Sequence, residues 1–158
     1  MMENVAQALL PLSAPPTGPG WNHADMHDLL GHRARQPAAV LVGIREGVQP
    51  RLVLTVRTGH LQDHAGQVAF PGGRSEPEDS DAVATALRES EEEIGLDRRL
   101  VTPLGYLDRF ETVSGFCVTP VVAKIAPEAR LYPAPDEVAE VFEVPLAFLL
   151  DPANLRRY

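Results

Sequence analysis

Short apolar runs separated by turn residues make up the first half of the chain. Residues 37–44 form a continuous apolar run, and residues 51–57 are rich in β-branched side chains. With a Gly- and Pro-containing turn between them, these runs predict two adjacent strands. Residues 67–70 predict a third short strand, which ends abruptly at the Pro-Gly-Gly sequence of residues 71–73.

The hydrophobic period then changes from that of a strand to that of a helix. The pattern predicts a helix over residues 80–94, with Asp79 or Ser80 as its N-cap and Gly95 as its C-terminal stop. Acidic residues near its N-terminus suit the helix dipole. Its apolar stripe consists of Val83, Leu87, Ser90 and Ile94.

Strand patterns return in the second half of the chain. Residues 104–110 and 116–125 predict two strands joined as a hairpin through Ser114 and Gly115. Residues 138–144 predict a last strand, and a short helix is expected at 146–150. Strands thus surround one strongly marked helix.

The N-terminal 36 residues differ in character from the remainder. Several prolines interrupt the first part of this segment, and a short helix is expected at residues 26–32. We therefore expect an N-terminal arm, residues 1–36, packed on a single domain, residues 37–158. A length of 158 residues suits one such domain with a sizeable core.

Composition and charge narrow the class of protein. The chain is 44% hydrophobic and carries a net charge of −8, which argues against partners that need a basic surface, namely nucleic acids and anionic membranes. The single cysteine, Cys117, allows no intramolecular disulfide and is expected to be a core residue. With an acidic N-terminus and no long apolar run, we expect a cytoplasmic protein.

Most of the net negative charge lies between Glu76 and Glu93, where eight carboxylates accompany one base, Arg88. At 100° per residue, Glu89, Glu92 and Glu93 project together beside the apolar stripe. A run of glutamates is usually a solvated helix face. The alternative is a site for a divalent cation such as Mg²⁺ or Mn²⁺, which prefers hard oxygen ligands.

The sequence context favours the cation site. The run from Gly72 to Leu96 resembles the Nudix box, G-x5-E-x7-R-E-U-x-E-E-x-G-U, where U is apolar. The second half matches as R-E-x-x-E-E-x-G-L, with Ser90 at the first U position. In the first half, Ser80 stands where the pattern has Glu, so Asp79 is expected to substitute and is not assigned as a ligand.

The resemblance implies an α+β fold, an α/β/α sandwich in which a mixed sheet lies between helices and which contains a catalytic loop-helix-loop. It also implies roles for individual residues. Glu89 and Glu93 would bind the metal most directly, Glu92 would act as ligand or base, and the Gly73 carbonyl would add a ligand. Arg88 is similar to the arginine of the family that orients the helix carboxylates. Its alternative is an ordinary surface pair with Glu92.

A longer stretch resembles the coenzyme A pyrophosphatase branch of this family. It runs from Leu54 to Gly73 and is similar to L-T-x-R-(S/T)-x-x-L-x-x-H-x-G-Q-x-x-F-P-G-G; with runs further along, the resemblance covers residues 38–146. It implies metal-dependent cleavage of coenzyme A into 3′-phosphoadenosine 5′-phosphate and 4′-phosphopantetheine, with oxidised or acyl derivatives as further substrates. Glu92 or a loop carboxylate, for which Glu137 is the candidate, would take the proton of the attacking water; the alternative for Glu137 is an exposed residue at a strand edge.

The sequence is also compatible with other functions. The chain is alternatively a Nudix hydrolase of another nucleoside diphosphate derivative, such as ADP-ribose or NADH, or a non-catalytic binding module. The retention of three mutually repelling glutamates argues against the module. The expected partner is a small molecule, and the sequence does not predict an oligomeric state.

Several residues near the box are candidates for contact with substrate. Arg57 and Arg74 suit phosphate oxygens, with surface ion pairs as the alternative. Gln67 is a further candidate, and His64 is expected to anchor the loop, with substrate contact as the alternative. Trp21 and Tyr132 suit stacking on adenine, but nothing in the sequence places them near the site.

Overall fold

The computed structural model of the chain describes residues 2–59 and 66–156. Within these ranges the helices are Met2–Gln7 (α1), His23–Leu30 (α2), Ala82–Ile94 (α3) and Leu146–Leu150 (α4), with short 3-10 helices at Arg98–Leu100 and Pro152–Asn154. The strands are Gln36–Arg45 (β1), Arg51–Arg57 (β2), Val68–Ala69 (β3), Gly72–Arg74 (β4), Val101–Tyr106 (β5), Phe110–Glu111 (β6), Phe116–Ile125 (β7) and Val138–Pro145 (β8). None of the helices in these ranges has the length and hydropathy that a membrane span requires.

The strands of the described ranges form one mixed sheet whose central order is β3-β2-β1-β7-β5. β1 and β7 run parallel along their whole length, and the other pairings are antiparallel. β2 pairs with β1 only at Ile44 and Arg45, whereas β4 pairs with β1 at residues 38–40. β1 and β2 therefore separate towards the other end of β2, and this opening is where the candidate site lies.

Alternating residues of the central strands point to opposite faces of the sheet and belong to two apolar clusters, one on each face. Leu41 and Val121 belong to the cluster covered by α3, with Ile94 contributed by that helix. Ile44 and Val122 belong to the other, which α1 and α4 cover. Helices on both faces of a mixed sheet confirm the predicted α+β class.

Most strand predictions are confirmed, and one is wrong. The expected strand over 104–110 is two strands, β5 and β6, because the chain between them leaves the ladder. Pro103 and Gly105 bracket an irregular register against β7, and the Arg109 carbonyl accepts from the backbone N–H of Trp21 at 2.8 Å. β6 and β7 form the predicted hairpin, with Gly115 at φ 92° in its turn.

Helix α3 begins later than predicted. Its N-cap is Asp81, whose Oδ1 accepts from the backbone N–H of Ala84 at 2.8 Å, rather than Asp79 or Ser80. Asp79 is engaged elsewhere, since its carboxylate binds Arg88. Gly95 ends the helix in the left-handed conformation at φ 64°, as predicted.

The N-terminal segment is fixed to the sheet by one buried carboxylate. Glu111 of β6 has a fully buried side chain that accepts from Arg35 Nε at 2.8 Å and contacts His23 Nδ1 at 2.7 Å. Gly20 donates its backbone N–H to the same carboxylate at 2.9 Å. The helix expected at 26–32 is displaced to His23–Leu30, because this anchoring places His23 at its first residue.

Candidate metal centre and substrate cavity

Three carboxylates converge at the opening between β1 and β2. Glu89 and Glu93 lie one turn apart on α3, and Glu137 lies in the segment before β8. One carboxylate oxygen from each residue lies within 4.8 Å of the other two. Three residues from two elements therefore present oxygen ligands to one point, although Glu137 is 44 positions from Glu93 in the sequence.

Burial makes this concentration of negative charge costly. The Glu93 residue is only 4% exposed, and burial raises its carboxyl pKa from 4.5 to about 8, with smaller contributions from Glu89 and Glu137. Burial also raises the pKa of Glu89, which the neighbouring Arg88 partly opposes. A cation bound among these oxygens would offset both the burial and the mutual repulsion.

The two glycines of the Pro-Gly-Gly turn allow close packing beside the carboxylate cluster. A Cβ atom at Gly73 would lie 2.6 Å from Glu89 Cδ, so the absent side chain at residue 73 is what lets the carboxylate pack there. A Cβ at Gly72 would lie 2.3 Å from the Ala39 carbonyl oxygen. The Gly72 N–H donates to Glu93. Gly73 therefore lets α3 pack closely against β4, and Gly72 lets β4 lie close to β1.

Arg88 links the loop before α3 to the helix carboxylates. Its Nε and Nη2 bind the two oxygens of Asp79, both at 3.0 Å, and its Nη1 binds Glu89 Oε1 at 3.0 Å. Nη2 also donates to the Arg74 carbonyl at 3.0 Å. The pair holds the pKa of Asp79 well below its usual range. Arg88 is thus largely buried among several acceptors, rather than forming a lone surface pair with Glu92.

Glu92 lies outside the cluster of three carboxylates. Its side chain is 53% exposed and faces Arg88 Nη1 at 3.4 Å, on the side of Glu89 away from Glu93. Helix geometry explains this, since residues 89 and 93 differ by about 40° around the axis while residue 92 is about 60° away on the other side. Its assignment as ligand or base stays a prediction.

A cavity of about 490 Å³ opens onto the cluster and gathers most of the expected substrate contacts. Arg57, Arg74 and Gln67 line it together with Glu89, Glu93 and Glu137. Within the described residues, the buried Nε of Arg57 has no hydrogen-bond partner, and its charge acts on Glu93. The Arg74 guanidinium lies 5.6 Å from the centre of the Phe116 ring. His64 lies outside the described residues.

The two aromatic candidates have different positions. Tyr132 lies at the C-terminal end of α3, where its backbone N–H donates to the Ile94 carbonyl at 2.8 Å. Trp21 lines a second cavity beside the first. Sequence reasoning missed this placement, and it missed the role of Glu111 in fixing the segment that carries Trp21, because neither residue belongs to a local motif.

The donor set fits a hard divalent cation. Three carboxylates supply oxygen ligands only, and within the described residues no histidine or cysteine joins them. Burial, with a smaller contribution from the neighbouring carboxylates, raises the pKa of Glu93 and Glu89, and a bound cation would oppose both effects. Glu89, Glu93 and Glu137 would hold Mg²⁺ or Mn²⁺ on this basis.

Comparison with known proteins identifies the family. The model of the NUDIX domain matches residues 34–158. The chain belongs to the Nudix family. A Pectobacterium atrosepticum protein named "Uncharacterized Nudix hydrolase NudL" is 51% identical over 115 residues, 73% of this chain and 59% of the relative. Its namesake in Escherichia coli K12 is 47% identical over 131 residues, 83% of this chain and 65% of the relative. The chain thus spans about 59% to 65% of the length of these Nudix relatives.

Solved structures share the Nudix fold at low identity. The Nudix hydrolase RenU of Mycobacterium smegmatis superposes with a TM-score of 0.61 at 22% identity, over 74% of each chain. The NUDIX domain of Shewanella oneidensis NrtR, crystallised with ADP ribose, gives a TM-score of 0.56 at 20% identity, over 75% of this chain and 77% of that one. These likenesses show the fold alone.

Proposed function

We propose that the chain hydrolyses the pyrophosphate bond of coenzyme A, giving 3′-phosphoadenosine 5′-phosphate and 4′-phosphopantetheine, with Mg²⁺ or Mn²⁺. The observation that carries the proposal is the meeting of three carboxylates with Arg57 and Arg74 in one cavity. Carboxylates suit the cation, and guanidinium groups suit phosphate oxygens. The choice of coenzyme A rests on the resemblance of residues 54–73 to that branch.

The roles in the reaction follow from chemistry and position. A bound divalent cation supplies charge neutralisation for the phosphates and lowers the pKa of water. Arg57, whose buried Nε lacks a protein acceptor within the described residues, holds a phosphate oxygen. Glu137 is the most exposed member of the cluster and offers one carboxylate oxygen to it. Its other oxygen accepts a proton from the attacking water as the water oxygen bonds to phosphorus and the bond from phosphorus to the bridging oxygen breaks.

Arg88 acts as a positioning residue in this proposal. Its contacts with Asp79 and Glu89 keep the Glu89 carboxylate turned towards the cavity. Because the arginine also donates to the carbonyl of Arg74 in β4, it holds α3 in position against β4. Gln67 contributes a polar group at the cavity wall, and the Gly73 carbonyl is a further ligand candidate.

A second candidate function is hydrolysis of ADP-ribose, a nucleoside diphosphate derivative that the NUDIX domain of NrtR holds in its crystal structure. A substrate panel decides between the two. Coenzyme A, ADP-ribose and NADH are incubated with the 158-residue chain and Mn²⁺, and the products are separated chromatographically. Release of 4′-phosphopantetheine at the highest kcat/KM supports the proposal. Turnover of ADP-ribose without cleavage of coenzyme A would overturn it.

A further inference from the structure

A second cavity of about 520 Å³ adjoins the one that contains the carboxylates. Val40, Phe70 and Phe110 line both cavities, so the two share a wall. A ligand with its phosphates beside Glu89 and Glu93 is therefore able to extend its next chemical group into the second cavity. Both volumes lie in the range of about 300–1,000 Å³ that is typical of small-molecule sites.

The two cavities differ in chemistry. Arg57 and Arg74 line the first, whereas Asp108 is the charged residue among the described residues that line the second. The remainder of the second cavity is apolar: Trp21, Val40, Val42, Phe70, Leu107, Phe110 and Pro120. The two guanidinium groups, together with a cation held by Glu89, Glu93 and Glu137, would favour a negatively charged phosphate in the first cavity, whereas the second favours a neutral group.

Trp21 is held at the rim of the second cavity by its main chain. Its backbone N–H donates to the Arg109 carbonyl at 2.8 Å, and the flanking Gly20 donates to Glu111 at 2.9 Å. On the other side, Asn22 exchanges two hydrogen bonds with the backbone of Glu111, at 2.7 and 2.8 Å.

The indole itself remains 74% exposed on this fixed backbone. A Cβ at Gly20 would lie 2.9 Å from the Cα of Phe110, so the segment lies directly against β6. The segment that contains Trp21 lies before residue 34, so it is outside the residues that match the family. A large aromatic side chain on a rigid backbone provides contact area at little entropic cost.

We infer that the second cavity binds the pantetheine arm of a coenzyme A substrate, with the indole of Trp21 packed against the arm. This rests on the proposed function. The arm is neutral, since its functional groups are amides, a hydroxyl, methyl groups and a thiol, whereas the adenosine half carries a 3′-phosphate that Asp108 would repel. The 3′-phosphoadenosine half then stays on the side of Arg57 and Arg74.

Fluorescence tests the assignment directly, because Trp21 is the only tryptophan in the sequence. Metal-free wild-type protein is titrated with pantetheine under reducing conditions, and separately with 3′-phosphoadenosine 5′-phosphate. Pantetheine is expected to produce a saturable blue shift of the emission, because it covers an exposed indole. The adenosine bisphosphate is expected to leave the emission unchanged.

Kinetics provide a second readout. Trp21→Ala is expected to raise KM for coenzyme A about tenfold with kcat within about twofold, while Trp21→Phe keeps most of the affinity. Phe148→Ala is the matched control, since Phe148 is an aromatic residue of α4 that is 54% exposed and lines neither cavity. We expect this control to have wild-type KM.

The outcomes separate this inference from the proposed function. A shift with pantetheine supports the inference even when coenzyme A is not cleaved, a result that would overturn the function alone. Cleavage of coenzyme A without a shift by pantetheine overturns the inference and leaves the function standing. A shift with 3′-phosphoadenosine 5′-phosphate alone overturns the inference too, because it assigns the cavity to the adenosine half.

Discussion

The burial of Glu93 predicts that the metal-free protein loses stability as pH rises. Its carboxyl pKa is about 8 in the folded state against 4.5 ordinarily. Below pH 4.5 the group is protonated in both the folded and unfolded states, and it has no effect on their balance. Between 4.5 and 8 only the unfolded state releases the proton, so the free energy of unfolding falls with pH.

The magnitude follows from the difference between the two pKa values. At about 1.4 kcal/mol per pKa unit, keeping Glu93 protonated in the folded state at pH 7 lowers the free energy of unfolding by roughly 3 kcal/mol. Glu93→Gln removes this penalty while retaining an oxygen that can accept from the Gly72 N–H. For a chain of this length we expect the variant to unfold about 6–12 °C higher at pH 7 in EDTA.

Thermal unfolding followed by circular dichroism from pH 5 to 8.5 measures the effect. Wild type and Glu93→Gln should nearly coincide at pH 5 and diverge as pH rises. Glu91→Gln is the matched control on the same helix, because Glu91 is 54% exposed and pairs only with Arg98 among the contacts described. Equal pH dependence of the melting temperature in wild type and Glu93→Gln would refute the reasoning.

Two further variants test the packing around the cluster. Gly73→Ala should turn Glu89 away and lower Mn²⁺ affinity about tenfold by calorimetric titration, while Gly47→Ala, whose added Cβ meets open space, should not. Wild-type Mn²⁺ affinity in Gly73→Ala would contradict this. Arg88→Lys loses the two-point contact with Asp79 and should lower the free energy of unfolding by about 1–3 kcal/mol in urea titrations. An unchanged urea midpoint would show that this contact does not stabilise the fold.

Sequence patterns predicted the elements whose causes are local. Local sequence alone predicts the apolar runs of β1, β2 and β7. It also predicts the helical period of α3 and the glycine that ends this helix. The N-cap was misplaced because Asp79, Ser80 and Asp81 are all good capping residues. The contact of Asp79 with Arg88 removes one of these candidates, and the carboxylate of Asp81 caps the helix.

The candidate site was predictable in part for a related reason. Glu89 and Glu93 lie together by helix geometry alone, whereas Glu137 reaches them through the pairing of β8 with β2. The motif also suggested Glu92, but its position on the helix turns it towards Arg88. Trp21 approaches the site only through hydrogen bonds between the N-terminal segment and β6, which no local pattern signals.

The central claim is that Glu89, Glu93 and Glu137 hold the cation that the reaction needs. The dependence of coenzyme A cleavage on Mn²⁺ concentration is its most direct test. Formation of 4′-phosphopantetheine is measured against Mn²⁺ concentration for wild type, Glu93→Gln and Glu91→Gln. The account predicts saturable activation of wild type and Glu91→Gln, and a rate at least about 100-fold lower for Glu93→Gln. Cleavage in EDTA, or at the wild-type rate by Glu93→Gln, would contradict it.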